Sequence, residues 1–84
     1  MDHAVLIDEH DDESIYRFET PQGTKYLFKI VKIFNRNNEE IGKSIEYFQR
    51  QEWHQLAKRK TNNHAYCVKL AESLLKALPE EKHS

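Results

Sequence analysis

"SIYRFETPQGTKYLFKI", residues 14–30, has the pattern of two β-strands joined by a tight turn. Pro21 suits the first central position of a type I turn, and Gly23 suits the left-handed position that follows it. A one-residue change in loop length exchanges the two faces of a strand, so the loop length decides which side chains share a face. A three-residue loop, Pro21-Gln22-Gly23, makes one face aromatic and leaves an opposite-charge pair on the other. The pairs that this loop predicts are Tyr16 with Phe28, Phe18 with Tyr26, and Glu19 with Lys25.

The next segment, "KIFNRNNEEIGKSIEYF", residues 32–48, allows two interpretations. As a hairpin it turns at Asn37-Asn38, because asparagine tolerates positive φ. As a helix it is capped by Asn38, but Gly42 then costs about 1 kcal/mol relative to alanine. We favour the hairpin, since one turn predicts five sensible pairs against one unfavourable pair, Lys32 with Lys43. The five pairs are Arg36 with Glu39, Phe34 with Ile41, Ile30 with Ile45, Lys29 with Glu46, and Phe28 with Tyr47.

The rest of the chain has helical periodicity. "QRQEWHQLAKRK", residues 49–60, places Trp53, Leu56 and Ala57 on one side of a helix. Asn62-Asn63 breaks and recaps the chain, and a second helix ends at Pro79. Residues 80–84 are expected to form a frayed tail. The apolar stripe expected on the second helix consists of Cys67, Leu70, Ala71, Leu74 and Leu78.

These elements predict an α+β fold. Counting the apolar run Ala4–Ile7 as the first strand, we expect a four-stranded antiparallel β-meander followed by two C-terminal α-helices packed on one face. The open alternative is three strands, a long helix from about residue 39, and a second helix. The aromatic face of the sheet would then form the core. Its expected members are Tyr16, Phe18, Tyr26, Phe28, Ile30, Phe34, Ile45 and Tyr47.

Length and composition predict one small domain over residues 1–84. Hydrophobic residues at 38% and charged residues at 32% favour a globular protein over a disordered one. A single cysteine, Cys67, excludes an internal disulfide, and no signal or membrane segment is visible, so we expect a cytoplasmic protein. Charge is uneven, since residues 1–20 hold seven acids and one base while residues 21–60 hold nine bases and four acids.

The strand "YLFKIVKIF", residues 26–34, is apolar on both faces, and strands of that kind are usually covered on both. With both helices on one face, a partner protein or a second copy could cover the other. The open alternatives are that Lys and Arg stems shield these residues, or that the helices divide between the two faces. We therefore expect a non-enzymatic protein-binding or regulatory module, acting through this sheet face as a homodimer. Its expected interface residues are Leu27, Val31, Ile33, Phe48, Lys25 and Lys29.

The alternative function is nucleic-acid binding through the basic segment, residues 25–60. The candidate residues are Arg50, Lys58, Arg59 and Lys60. A purely structural role competes with this hypothesis, because Lys58-Arg59-Lys60 would complement the dipole at the end of the first helix. The nearly balanced total charge also counts against it, so protein binding stays the first hypothesis.

Other motifs do not support catalysis, metal binding or a cofactor. "DEHDDE", residues 8–13, lacks the glycine and the ligand spacing of a calcium loop and is expected to be an acidic turn. "NNEEIGKS", residues 37–44, lacks the first glycine of a phosphate-binding loop. His64 and Cys67 have no second ligand pair for zinc. We therefore expect no catalytic residue, no metal, no cofactor, no small-molecule substrate and no membrane contact.

Overall fold

One five-stranded antiparallel sheet and one helix make up the computed structural model, which describes residues 3–79. The strands follow one another across the sheet in chain order, so the first and the last are its edges. This is the predicted α+β meander with one strand more and one helix fewer. The predicted tail at residues 80–84 lies outside the described residues. The elements are β1 (Val5–Glu9), β2 (Glu13–Glu19), β3 (Lys25–Phe34), β4 (Glu40–Gln49), β5 (Glu52–Arg59) and α1 (His64–Ala77).

The β2–β3 hairpin has the predicted turn and register. Gly23 donates its backbone N–H to the Thr20 carbonyl at 2.9 Å and has a φ of 90°. Thr20 and Thr24 close the loop around Pro21-Gln22-Gly23. The three predicted pairs are confirmed, including Tyr16 with Phe28. The rings of that pair stack at 5.0 Å, which places the aromatic face at the centre of the fold.

The β3–β4 hairpin is also confirmed, but its turn differs from the prediction. Asn35 and Glu39 close a three-residue loop, Arg36-Asn37-Asn38, in which Asn38 has the positive φ of 63°. The extra loop residue moves the register by one, and a bulge at Ile41 restores it. The predicted pairs from Phe28 to Ile30 are therefore correct, whereas Arg36–Glu39 and Phe34–Ile41 are wrong. The alternative of a long helix from residue 39 is wrong as well.

The predicted first helix is wrong, because the segment forms strand β5. β4 turns directly into β5 through Arg50 and Gln51, which both have positive φ, 57° and 68°. Neither residue favours that conformation, so the sequence gives no local turn signal. Pairing with β4 then decides the structure, and it sets Trp53 against Phe48 with ring centroids 5.3 Å apart. The dipole role proposed for Lys58-Arg59-Lys60 is wrong too, because no helix ends there.

The helix α1 covers the aromatic face of the sheet. Asn63 caps it by accepting a hydrogen bond from the Tyr66 backbone N–H at 3.0 Å, and it ends before Pro79, as expected. Cys67, Ala71 and Leu75 form its buried line, so Leu75 rather than Leu74 is the deepest leucine. The core members on the sheet are those predicted, except that Tyr47 is half-buried and Phe34, at the end of β3, is 44% exposed. The buried hydrophobic residues are Tyr16, Phe18, Tyr26, Phe28, Ile30, Ile45, Cys67, Ala71 and Leu75.

Candidate functional site

The face of the sheet opposite α1 is not covered by any part of residues 3–79. Side chains alternate along a strand, so the neighbours of buried Phe28, namely Leu27 and Lys29, must lie on this other side. The same alternation assigns the paired residues of the other strands. We call this surface the open face. Its members are Val5 and Asp8 on β1; Glu13, Ile15, Arg17 and Glu19 on β2; Lys25, Leu27, Lys29, Val31 and Ile33 on β3; Ser44, Glu46 and Phe48 on β4; and Trp53, Gln55 and Lys58 on β5.

An apolar band crosses the open face. Leu27 is 37% exposed and Trp53 is 36% exposed, and Phe48 lies between them across the strands. Val31 and Ile33 continue the band along β3 and are half-buried. The predicted interface residues are thus brought together on one surface. Trp53 was missed, because the helical interpretation of residues 49–60 separated it from Phe48.

Lys29 lies at the middle of the open face and is held by three groups. Its Nζ is 3.8 Å from Glu13 Oε1, 3.9 Å from Glu46 Oε1 and 4.3 Å from the centroid of the Trp53 ring. The side chain is only 17% exposed. The charge of Lys29 is therefore compensated within the open face, and its ammonium group lies over the Trp53 ring as a cation–π contact. An aromatic ring already covered in this way is poorly placed to stack on a nucleic-acid base.

The basic candidates do not form one patch. Arg50 lies in the β4–β5 turn and Lys58 near the far end of β5, whose eight residues span roughly 26 Å. Lys58 belongs to the open face, whereas Arg59 pairs with Lys43 on the helix side. Neither Lys58 nor Lys60 makes an ion pair within residues 3–79. A groove of about 360 Å³ at this end is lined by Ile33, Ile41, Gly42, Lys58, Arg59 and Lys60.

The acidic stretch at residues 8–13 ends β1, forms the connection at residues 10–12 and begins β2. The His10 backbone N–H donates to the Glu13 carbonyl at 2.8 Å, and Lys32 binds the backbone carbonyl oxygens of Asp11 and Asp12. Within residues 3–79 no three His, Cys, Asp or Glu side chains are grouped as a metal site would need. The stretch is therefore a turn whose backbone carbonyl oxygens accept hydrogen bonds from Lys32 of β3.

A polar cluster joins the start of α1 to the sheet. Tyr16 Oη and His64 Nε2 share a hydrogen bond of 2.6 Å. Burial lowers the pKa of His64, and the cations Lys43 and Lys32 lower it further, while Glu9 and Glu40 act in the opposite direction. Burial, supported by Glu9, raises the pKa of the Tyr16 hydroxyl, so both partners are neutral near pH 7.

Cys67 lies one helical turn beyond His64 and has no exposed surface. Burial raises the pKa of its thiol, which is the opposite of what a nucleophile or a metal ligand needs. It packs in the core as the sequence predicts for a small buried hydrophobe.

The Tyr16–His64 contact predicts a pH dependence of stability. Because the pKa of His64 is lowered by folding, its contribution is complete above about pH 6.5 and is lost as pH falls through the pKa of the folded protein. We expect the melting temperature to fall below pH 6.5 more steeply in the wild type than in His64→Gln, which keeps an acceptor for the Tyr16 hydroxyl. Thermal unfolding from pH 8 to pH 5 measures the difference, since the other histidines are common to both proteins. Parallel curves would contradict this assignment.

Comparison with protein-family models, curated proteins and solved structures finds no match for this chain. Within the described part of the chain, no helix is long and apolar enough to cross a membrane. The function proposed below therefore depends on the open face and on the chemistry of its side chains.

Proposed function

We propose that the chain is a non-enzymatic protein-binding module that associates with a second copy of itself through the open face. The observation that carries the proposal is an apolar band in which exposed Leu27 and Trp53 flank half-buried Phe48, on a sheet face that no described element covers. Val31 and Ile33 extend that band. Two such faces packed about 10 Å apart would form a β-sandwich with these side chains in its centre.

The charges of the open face favour a second copy over a strongly charged partner. The face carries acidic and basic side chains in equal number, and several of them pair within it: Glu19 opposes Lys25, and Lys29 lies between two glutamates. Such a surface does not repel its own copy, and it surrounds the apolar band with a polar rim, as in known interfaces. The basic members are Arg17, Lys25, Lys29 and Lys58, and the acidic members are Asp8, Glu13, Glu19 and Glu46.

The size of the face is sufficient for a stable dimer. Five strands about 4.8 Å apart give a width of roughly 24 Å, and eight residues give a length of roughly 26 Å. Each copy would thus bury roughly 600 Å², and the pair roughly 1,200 Å², which is the lower limit of specific interfaces. The affinity of such a dimer depends on how well the apolar band packs, and not on the area alone.

The variant Leu27→Lys/Val31→Lys tests the proposal. We expect it to abolish face-to-face association, because each copy would bring two added cations into the apolar band. Sedimentation equilibrium measures the mass, and emission from Trp53, the only tryptophan, reports burial of the face directly. The matched control is Leu6→Lys, since Leu6 is 46% exposed and pairs with Tyr16 on the helix side. Association and Trp53 emission unchanged in the test variant would show that the open face is not the interface.

Nucleic-acid binding is less well supported. The four basic candidates lie at two ends of β5 and on both faces of the sheet, and the Trp53 ring is occupied by Lys29. Only the groove beside Lys58 and Lys60 favours it, because cations there surround an apolar floor. Salt-sensitive binding of single-stranded DNA that Lys58→Glu/Lys60→Glu abolishes would restore this hypothesis.

A further inference from the structure

We infer that β5 is a second interface, at which two copies pair edge to edge in antiparallel orientation and continue the sheet. The inference does not depend on the open face, because it uses the outer edge of the last strand. β5 has a hydrogen-bonded neighbour on one side only, β4. Its outward backbone N–H and C=O groups are therefore available to another strand. Strands add to a sheet edge through main-chain hydrogen bonds of this kind.

The sequence of β5 is complementary to itself when it runs antiparallel. A two-fold axis between Gln55 and Leu56 sets Glu52 of one copy opposite Arg59 of the other, and the contact occurs twice. Glu52 makes no ion pair within residues 3–79, and Arg59 bonds only the carbonyl oxygen of Lys58. Both charges are thus free to pair with the other copy.

The facing of the side chains agrees with this register on either side of the two-fold axis, from Glu52 to His54 and from Ala57 to Arg59. Residues that oppose each other across two strands must point to the same side of the sheet. Arg59 pairs with Lys43 and Glu52 with Gln49, which places both on the helix side. Trp53 and Lys58, the next opposing pair, both belong to the open face. The bulge at Leu56 is what puts these opposing residues on the same side of the sheet, because an unbulged strand would set them on opposite sides. At the axis itself Gln55 lies on the open face and Leu56 packs against the core.

The other edge of the sheet does not offer the same complementarity. β1 has exposed Val5, Leu6 and Ile7, followed directly by Asp8 and Glu9. Antiparallel self-pairing of β1 about Ile7 would set Asp8 opposite Leu6 and Glu9 opposite Val5, so acids would oppose apolar residues. β5 is therefore the edge that selects a second copy.

The two interfaces are compatible in one assembly. Edge pairing uses a two-fold axis perpendicular to the sheet, whereas face packing uses an axis parallel to it. Together they give a closed tetramer of two ten-stranded sheets, a symmetry that is common among oligomers. Loss of either interface should then leave a dimer, and loss of both a monomer.

A charge exchange tests the edge interface. Glu52→Arg and Arg59→Glu each create two like-charge contacts, so we expect each to raise the Kd of edge pairing about tenfold or more. The double variant Glu52→Arg/Arg59→Glu restores opposite charges and should recover the wild-type Kd. An equimolar mixture of the two single variants should also associate, because each then meets its complement. Sedimentation equilibrium measures all four samples, with circular dichroism as the test of folding.

A second measurement needs no substitution. Amide hydrogen exchange along β5 should slow as the wild-type concentration is raised, because the outward N–H groups become bonded. Single variants with unchanged Kd, a double variant that does not recover, or β5 exchange independent of concentration would each overturn the edge interface. Failure of the open face gives a different result: Leu27→Lys/Val31→Lys then changes no mass, while the charge exchange still behaves as expected.

Discussion

Phe28→Ala should remove most of the stability of this domain. Phe28 has no exposed surface, lies on the central strand, and stacks on Tyr16 at 5.0 Å. Truncating a buried phenylalanine costs about 3–5 kcal/mol in transfer and cavity terms. A domain of this length has a free energy of unfolding of about 4–13 kcal/mol, so the variant should be marginally folded. Urea denaturation followed by circular dichroism measures the loss.

The neighbouring residue supplies the control. Leu27 is 37% exposed on the opposite face, so Leu27→Ala should cost about 1 kcal/mol or less. Both variants are measured at protein concentrations low enough that association adds nothing to stability. Equal losses would mean that α1 does not cover the face that carries Phe28.

The strands up to residue 49 could be predicted because their signals are local and agree with one another. Pro21 and Gly23 specify the loop, and the loop specifies which residues oppose. At the next turn the asparagines indicate a turn equally clearly. They do not distinguish the predicted two-residue loop, Asn37-Asn38, from the observed three-residue loop, Arg36-Asn37-Asn38. The bulge at Ile41 absorbs that difference, and nothing in the sequence marks where a sheet will place a bulge.

β5 could not be predicted because its evidence is not local. Trp53, Leu56 and Ala57 fit a helical stripe as well as they fit a strand, and Arg50-Gln51 is an uncommon turn. What decides the structure is the β4 edge, against which Trp53 and Ala57 pair. Tertiary pairing of this kind overrides propensity, and it becomes visible only once β4 has been placed.

The candidate site was predictable to the same extent. Leu27, Val31, Ile33 and Phe48 follow from the alternation of β3 and from the β3–β4 register. Trp53 and the spread of the basic residues over two ends and two faces depend on β5, so they were missed. The helical interpretation favoured nucleic-acid binding more than the structure does. A basic helix end is a compact patch, whereas on a strand Lys58 and Arg59 point to opposite faces.

The second large effect concerns Lys43, a cation almost fully enclosed on the helix side of β4. It is 2% exposed, and its strand neighbours are Lys32 on β3 and Arg59 on β5, so three cations lie in one row. The Glu40 carboxylate accepts its hydrogen bond at 2.5 Å and supplies the compensating charge. Glu40→Ala leaves a buried cation between two others, and we expect a loss of about 3 kcal/mol.

Glu40→Ala/Lys43→Met separates this charge effect from any role of Glu40 in the β3–β4 turn. Methionine fills a similar volume without a charge, so the double variant should recover most of the stability lost in Glu40→Ala. Glu40→Gln keeps an acceptor for the Lys43 ammonium but not the negative charge. Its free energy of unfolding should therefore lie between those of the wild type and Glu40→Ala. Chemical denaturation of the wild type, Glu40→Ala, Lys43→Met and the double variant gives the coupling free energy between Glu40 and Lys43. A double variant as unstable as Glu40→Ala would place the effect in the turn and not in the buried charge.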